Sequence, residues 1–152
     1  MDVATIVDEK IDLAELMRFA KQYQEQLRRG SPSAVATFSY AHALIKSTKD
    51  DTQKGIRLLT DLLKDDTEDV PRRDCIFFLA IAHTRLKEYD RALAYLDVLL
   101  ENESNNRQAA ALKELINYRM KRDGLLGAAI IGGGIAVIGG LLIAAIASKR
   151  KS

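Results

Sequence analysis

The side chains that could do chemistry in this 152-residue chain are few and scattered. There are two histidines, His42 and His83, and one cysteine, Cys75. Neither histidine has a second His or Cys at the short spacing that a metal site needs, so both read as packing residues, and no cofactor or metal is expected. Arg72 and Arg73 precede Cys75 and would favour a thiolate, but a buried, inert thiol is the stronger reading. A single thiol forms no internal disulfide, which suits a reducing compartment. The one glycine run, Gly132–Gly134, lies inside a long apolar stretch and cannot cradle a phosphate. Asn102, Glu103 and Ser104 match a glycosylation sequon, a pattern too short to weigh. Together these exclude every enzyme class that relies on a recognisable constellation. Whatever this chain does, it does by binding.

Charge narrows the binding partners. Three cations, Lys149, Arg150 and Lys151, sit in the last five residues; the remainder carries 20 basic against 21 acidic groups. A nucleic-acid surface must displace counterions with a basic face, and this balance offers none. The N-terminus lacks a basic stretch followed by an apolar run, so no signal peptide is expected.

Leu125–Ala147 contains only Leu, Ile, Val, Ala and Gly, 23 residues in all. At about 1.5 Å per residue it is roughly 35 Å long as a helix, against about 30 Å of hydrocarbon. The expected reading is a tail anchor: 124–147 in the membrane, 148–152 across it, and the preceding residues in the cytosol. Eleven of the 23 are Leu, Ile or Val, so the span is only moderately apolar. Basic residues flank both ends. That combination resembles anchors of the mitochondrial outer membrane, some of which also reach peroxisomes, with Lys149, Arg150 and Lys151 as targeting residues. Ala128, Gly132, Ala136, Gly140 and Ala144 form a ladder of small residues that would allow two spans to pair, making a homodimer one outcome.

The elements ahead of the span are helical. Asp12 and Glu15 have capping-box spacing and open a helix that Gly30 ends. Ser31 and Pro32 read as a cap and first turn of a second helix running to about Ser47. Ser47–Asp51 is polar enough for a loop. Further helices are expected at about 52–64, 71–86, 89–102 and 106–122, with no alternation that would specify a strand.

The later hairpin carries Leu79, Ala80, His83, Tyr89, Ala92, Leu96 and Leu99 at the spacings of the tetratricopeptide pattern. Ala80 and Ala92 fall where two helices of a repeat must touch. The earlier hairpin fits more loosely through Phe38, Ala41, Ile45, Gly55, Leu59 and Leu62, and Phe38 to Ile76 is a step of 38 residues against about 34 for the repeat. The first and last helices would cap the pair. The expected fold is all-α: a six-helix bundle with two central tetratricopeptide-like hairpins over residues 12–123, an arm at 1–11, and one C-terminal transmembrane helix.

The chain then resembles a specific family. Lys54–Leu59, then Arg73, Asp74 and Phe77, above all Arg85–Leu93, and finally Lys121–Leu125 leading into a Gly/Ala-rich anchor are similar, in order and spacing, to the mitochondrial fission 1 protein family. The resemblance implies a non-enzymatic adaptor on the mitochondrial outer membrane and on peroxisomes. It would recruit a dynamin-like GTPase or its adaptors, and other mitochondrial tethering or clearance proteins, through a concave groove. It also implies an N-terminal arm that can lie in that groove. Carried over position by position, the groove is expected at Ser39, Ala43, Lys46, Asp74, Phe77, Ile81, Thr84 and Arg85, with Val3, Ile6 and Val7 as arm contacts. A co-chaperone receptor gripping a C-terminal carboxylate is the competing reading, but Ser39, Ala43, Asp74 and Phe78 are poor carboxylate donors. A tether component that recruits nothing is the third.

Overall fold

The computed structural model describes residues 2–65 and 68–124. Leu125–Ala147, including the small-residue ladder Ala128, Gly132, Ala136, Gly140 and Ala144, and the basic residues Lys149, Arg150 and Lys151 lie outside the described residues. No described helix is long and apolar enough to cross a membrane.

Among the described residues there are seven helices and no strand. A short α1 (Val3–Asp8) precedes α2 (Leu13–Arg29), α3 (Ala34–Leu44), α4 (Lys49–Lys64), α5 (Arg72–Arg85), α6 (Tyr89–Asn102) and α7 (Arg107–Arg122). Consecutive helices from α2 to α7 pack against each other, so α3–α4 and α5–α6 are the two central hairpins, with α2 and α7 as their flanks. The six expected helices are all there. The seventh, α1, forms within the expected arm and packs on α5 and α7.

Two starts, those of α3 and α4, differ from the sequence reading, and α2 starts where expected but without the expected cap bond. Asp12 precedes α2 but makes no side-chain cap bond, and Glu15 instead faces Arg18 at 3.8 Å. The cap of α3 is Ser33, whose Oγ accepts from the Ala36 amide at 3.1 Å; Ser31 and Pro32 lie before it. Within the expected loop, Thr48 accepts from the Asp51 amide at 3.1 Å and starts α4 three residues early. A hydroxyl that satisfies an orphan amide fixes the starts of α3 and α4. Asn106 caps α7 in the same manner, accepting from the Ala109 amide at 2.9 Å.

One core runs through α4, α5, α6 and α7, with Leu59, Leu79, Ala80, Ala92, Leu96, Leu112 and Ile116 fully enclosed. A second, smaller cluster of Leu16, Tyr40, Ala43 and Leu44 joins α2 to α3. The small positions of the repeats have a direct steric basis. A Cβ on Gly55 would lie 2.7 Å from Ile45 Cγ2 and 2.9 Å from the Ala41 carbonyl oxygen, so α3 and α4 can approach only where α4 has no side chain. The α5–α6 turn is tighter still. Lys87 takes the left-handed conformation (φ 60°), the Glu88 amide bonds the His83 carbonyl at 2.9 Å and the Lys87 amide the Thr84 carbonyl at 3.0 Å. This is a Schellman ending built on a lysine where glycine is usual.

Candidate partner-binding groove

The arm helix α1 is seated by two arginines and one valine. Asp2 caps it, accepting from the Ala4 amide at 3.2 Å. Val7 is completely enclosed, and Val3 and Ile6 rest against the main core. Arg85, in the last turn of α5, donates from Nη1 to the carbonyl oxygens of Val7 at 2.5 Å and Glu9 at 2.7 Å. These are the carbonyls that a helix end leaves without internal partners. Burial lowers the Arg85 pKa, and the nearby Asp8 and Glu9 carboxylates oppose that shift. Arg119 of α7 pairs with Asp8 at 2.8 Å, its own side chain only 14% exposed. Beyond the helix, Lys46 faces Glu9 at 3.9 Å and its carbonyl accepts from the Ile11 amide at 3.0 Å.

Beside the arm lies a cavity of about 530 Å³ between α3, α5 and the α6–α7 turn, walled by Ile6, Phe38, Phe77 and Phe78 on one side and by Arg73, Asp74, Glu103, Asn106 and Gln108 on the other. Its apolar side is an aromatic cluster. Phe78 meets His42 edge-on at 4.5 Å and Phe38 at 5.8 Å between ring centres; Phe77 contacts Phe78 at 5.4 Å, and Phe38 stacks with His42 at 6.2 Å. Phe38, His42 and Phe78 are half-buried, and Phe38 and Phe78 pack against the main core. Burial and the neighbouring Lys46 ammonium depress the His42 pKa, keeping the imidazole an apolar-compatible neutral ring.

The expected groove residues therefore divide. Lys46, Asp74, Phe77 and Arg85 border the arm or the aromatic cavity. Ile81 is 1% exposed within the core. Thr84 is closed onto its own helix, donating to the Ala80 carbonyl at 2.7 Å. Ser39 is half-buried on α3. Ala43 is 1% exposed and covered by α2, not by groove space. On α3 the open face runs through Phe38 and His42, one residue before the expected Ser39 and Ala43. Phe78 belongs to the same face. The sequence gives no reason to separate these three from packing residues, because α3 and α5 are apolar on nearly every side.

His83 and the thiol behave as packing groups. His83 Nδ1 lies 2.9 Å from Glu88 and its ring stacks on Tyr95. Cys75 is buried, and that burial pushes its pKa up to about 11.

Comparison with known proteins matches this architecture. Residues 36–66 fit the Fis1 N-terminal tetratricopeptide repeat and residues 73–125 the Fis1 C-terminal tetratricopeptide repeat. The chain belongs to the mitochondrial fission 1 protein family. It is 47% identical to the FIS1-related protein fis-2 of Caenorhabditis elegans, over 99% of this chain and all of that one. It is 42% identical to the human mitochondrial fission 1 protein, over 97% of this chain and 98% of that one. Among solved structures it is similar to yeast Fis1 in complex with an Mdv1 fragment containing N-terminal extension and coiled-coil domains. The TM-score there is 0.71, with 30% identity, covering 82% of this chain and 95% of the other. This family membership makes the α3–α4 and α5–α6 hairpins tetratricopeptide repeats, as their small contact positions indicate.

Proposed function

We propose that this chain is an adaptor in mitochondrial fission that holds partner proteins on the α3–α5 face. The observation that carries the reading is the half-buried Phe38–His42–Phe78 cluster beside an arm seated by Val7, Arg85 and Arg119. Aromatic side chains in a cavity supply anchor area at low entropic cost. The yeast relative's complex with an Mdv1 fragment supports a partner protein of the adaptor class. The partners proposed are a dynamin-like GTPase or its adaptors, together with proteins that tether or clear mitochondria. Residues 12–123 form the recruiting domain and 1–11 its arm. Residues 124–147 anchor it in the outer membrane of mitochondria and in peroxisomes, with 148–152 across the bilayer, so that the helical domain faces the cytosol. Catalysis in this scheme belongs to the recruited GTPase.

The experiment is localisation with a functional readout. The full chain, a chain ending at residue 124, and one with Lys149, Arg150 and Lys151 made neutral are expressed in cells lacking the endogenous protein. The full chain is expected on mitochondria with division restored. The shortened chain is expected in the cytosol without rescue, and the neutralised one diverted to other membranes. Rescue of division by the shortened, cytosolic chain would contradict the reading.

A further inference from the structure

A second cavity, of about 590 Å³, opens at the other end of the arm, where α1, the α3–α4 turn, the α5–α6 turn and the end of α7 converge. Six cations line it: Lys10, Lys49, Arg85, Lys87, Arg119 and Arg122. One carboxylate lines it, that of Asp8, and a second stands at its edge: Asp123 pairs with Arg122 at 3.2 Å and accepts from the Tyr89 hydroxyl at 3.2 Å. Composition does not account for this, since without its last five residues the chain carries more acidic than basic groups. Two of the lysines also stand where local physics disfavours them. Lys49 is the first residue of α4, at the positive end of the helix dipole. Lys87 occupies a left-handed conformation that costs a non-glycine residue about 1–2 kcal/mol. Local rules broken at two positions that serve the same cavity mark a site and not a random surface. Arg119 is already spoken for, but only by Asp8, whose side chain is 62% exposed.

We infer that this cavity binds the phosphate of an anionic phospholipid headgroup, which takes the place of Asp8 on Arg119. The lipid source is favoured by position. α7 ends at Arg122, and the uncharged stretch proposed as the membrane span begins two residues after it, at Gly124. The mouth of the cavity therefore lies at the root of the anchor, within reach of headgroups. A phosphate and the Asp8 carboxylate repel each other and compete for one guanidinium, so headgroup binding loosens the C-terminal end of α1. The cationic lining gains a further counterion, and the arm loses one of its two arginine contacts. Arg85, bound to backbone carbonyls, is left as the remaining clasp. This inference rests on the membrane placement proposed above.

The test uses the full chain in bilayers of phosphatidylcholine alone and of phosphatidylcholine mixed with cardiolipin, followed by amide hydrogen exchange across residues 3–8. Faster exchange of the arm is expected in the anionic bilayer only. Each lysine near an anionic surface contributes about 1 kcal/mol, a factor of about five in headgroup affinity. The Lys49→Ala, Lys87→Gly double variant, which relieves both local penalties and so keeps its fold, is expected to need far more cardiolipin for the same response. Asp8→Asn is expected to exchange fast in both bilayers. Equal arm exchange of the unaltered chain in the two bilayers would overturn the inference, as would an unchanged cardiolipin response in the double variant. The same response to inorganic phosphate over neutral bilayers would overturn the lipid assignment. Flotation of the sample separates the two readings: a chain that does not float with lipid overturns the membrane placement itself, whereas a floating chain with a lipid-blind arm removes only this inference.

Discussion

The arm helix and the α5–α6 hairpin touch each other but are held by different forces. The hairpin is sealed by enclosed apolar side chains, Leu79, Ala80, Ala92 and Leu96 among them. The arm has one such residue, Val7, and is otherwise held by the partly buried Val3 and Ile6 and by Arg85 and Arg119. Apolar burial over a whole helix face is cooperative with folding. A six-residue helix is far below the length that holds its own structure in water, so α1 exists only where its contacts place it. The comparison teaches that the proposed groove is built on a core that folds as a unit, whereas the arm beside it is held by few contacts.

Breaking the hairpin should have the largest effect. Leu79→Ala empties an enclosed site and is expected to cost about 2–5 kcal/mol of global stability, read from denaturant midpoints. Gly55→Ala presses a methyl against the Ala41 carbonyl and should cost about 1–3 kcal/mol, as overpacking does. Both should lower the transition of the whole domain. Arg85→Ala should behave differently. Charge-assisted bonds contribute about 1.5–3 kcal/mol each at most, and here they hold only the arm. The expected outcome is rapid amide exchange at residues 3–8 with a nearly unchanged global midpoint. A matching loss of global stability would erase the distinction between cover and core.

Acid should weaken the core more gently. His42 and His83 are held below their ordinary value of 6.5, chiefly by burial. The unfolded chain therefore binds more protons once pH falls under about 6.5, and stability declines as pH drops through that range. Above it the contribution is fully present. Denaturant midpoints measured across that range should fall with pH, and His42→Phe should flatten part of the dependence. The smallest effect is expected at the surface. Lys113→Ala breaks an exposed pair with Asp97 at 2.9 Å and should change stability by less than about 1 kcal/mol.

The repeats were legible because their determinants are steric and local: Gly55, Ala80 and Ala92 must be small where helices meet. The periodicity of α2, α4, α6 and α7 was equally plain. The face of α3 was not. With apolar residues all round, Phe38 and His42 cannot be told from Ser39 and Ala43 until α2 is seen to cover Ala43. The arm was legible as an arm, through Val3, Ile6 and Val7, but not as a helix, because six residues carry too little periodicity. Its clasp could not be read either: Arg85 bonds backbone carbonyls, and these have no signature in sequence. Ser33 displaced Ser31 as the α3 cap by a choice between two equivalent hydroxyls that only the chain path resolves.

The most direct test of the central claim is partner capture by the α3–α5 face. Phe77 and Ile81 are too enclosed to alter without disturbing the core, so the informative variant is Phe38→Ala with Phe78→Ala, both half-buried. Binding of the purified full chain to the proposed dynamin-like GTPase or adaptor is titrated beside the double variant, with matched helical circular dichroism. Loss of aromatic anchors at about 2 kcal/mol or more predicts affinity weaker by about thirtyfold or more. Unchanged affinity in a folded double variant would contradict the account and place the partner surface elsewhere on the domain.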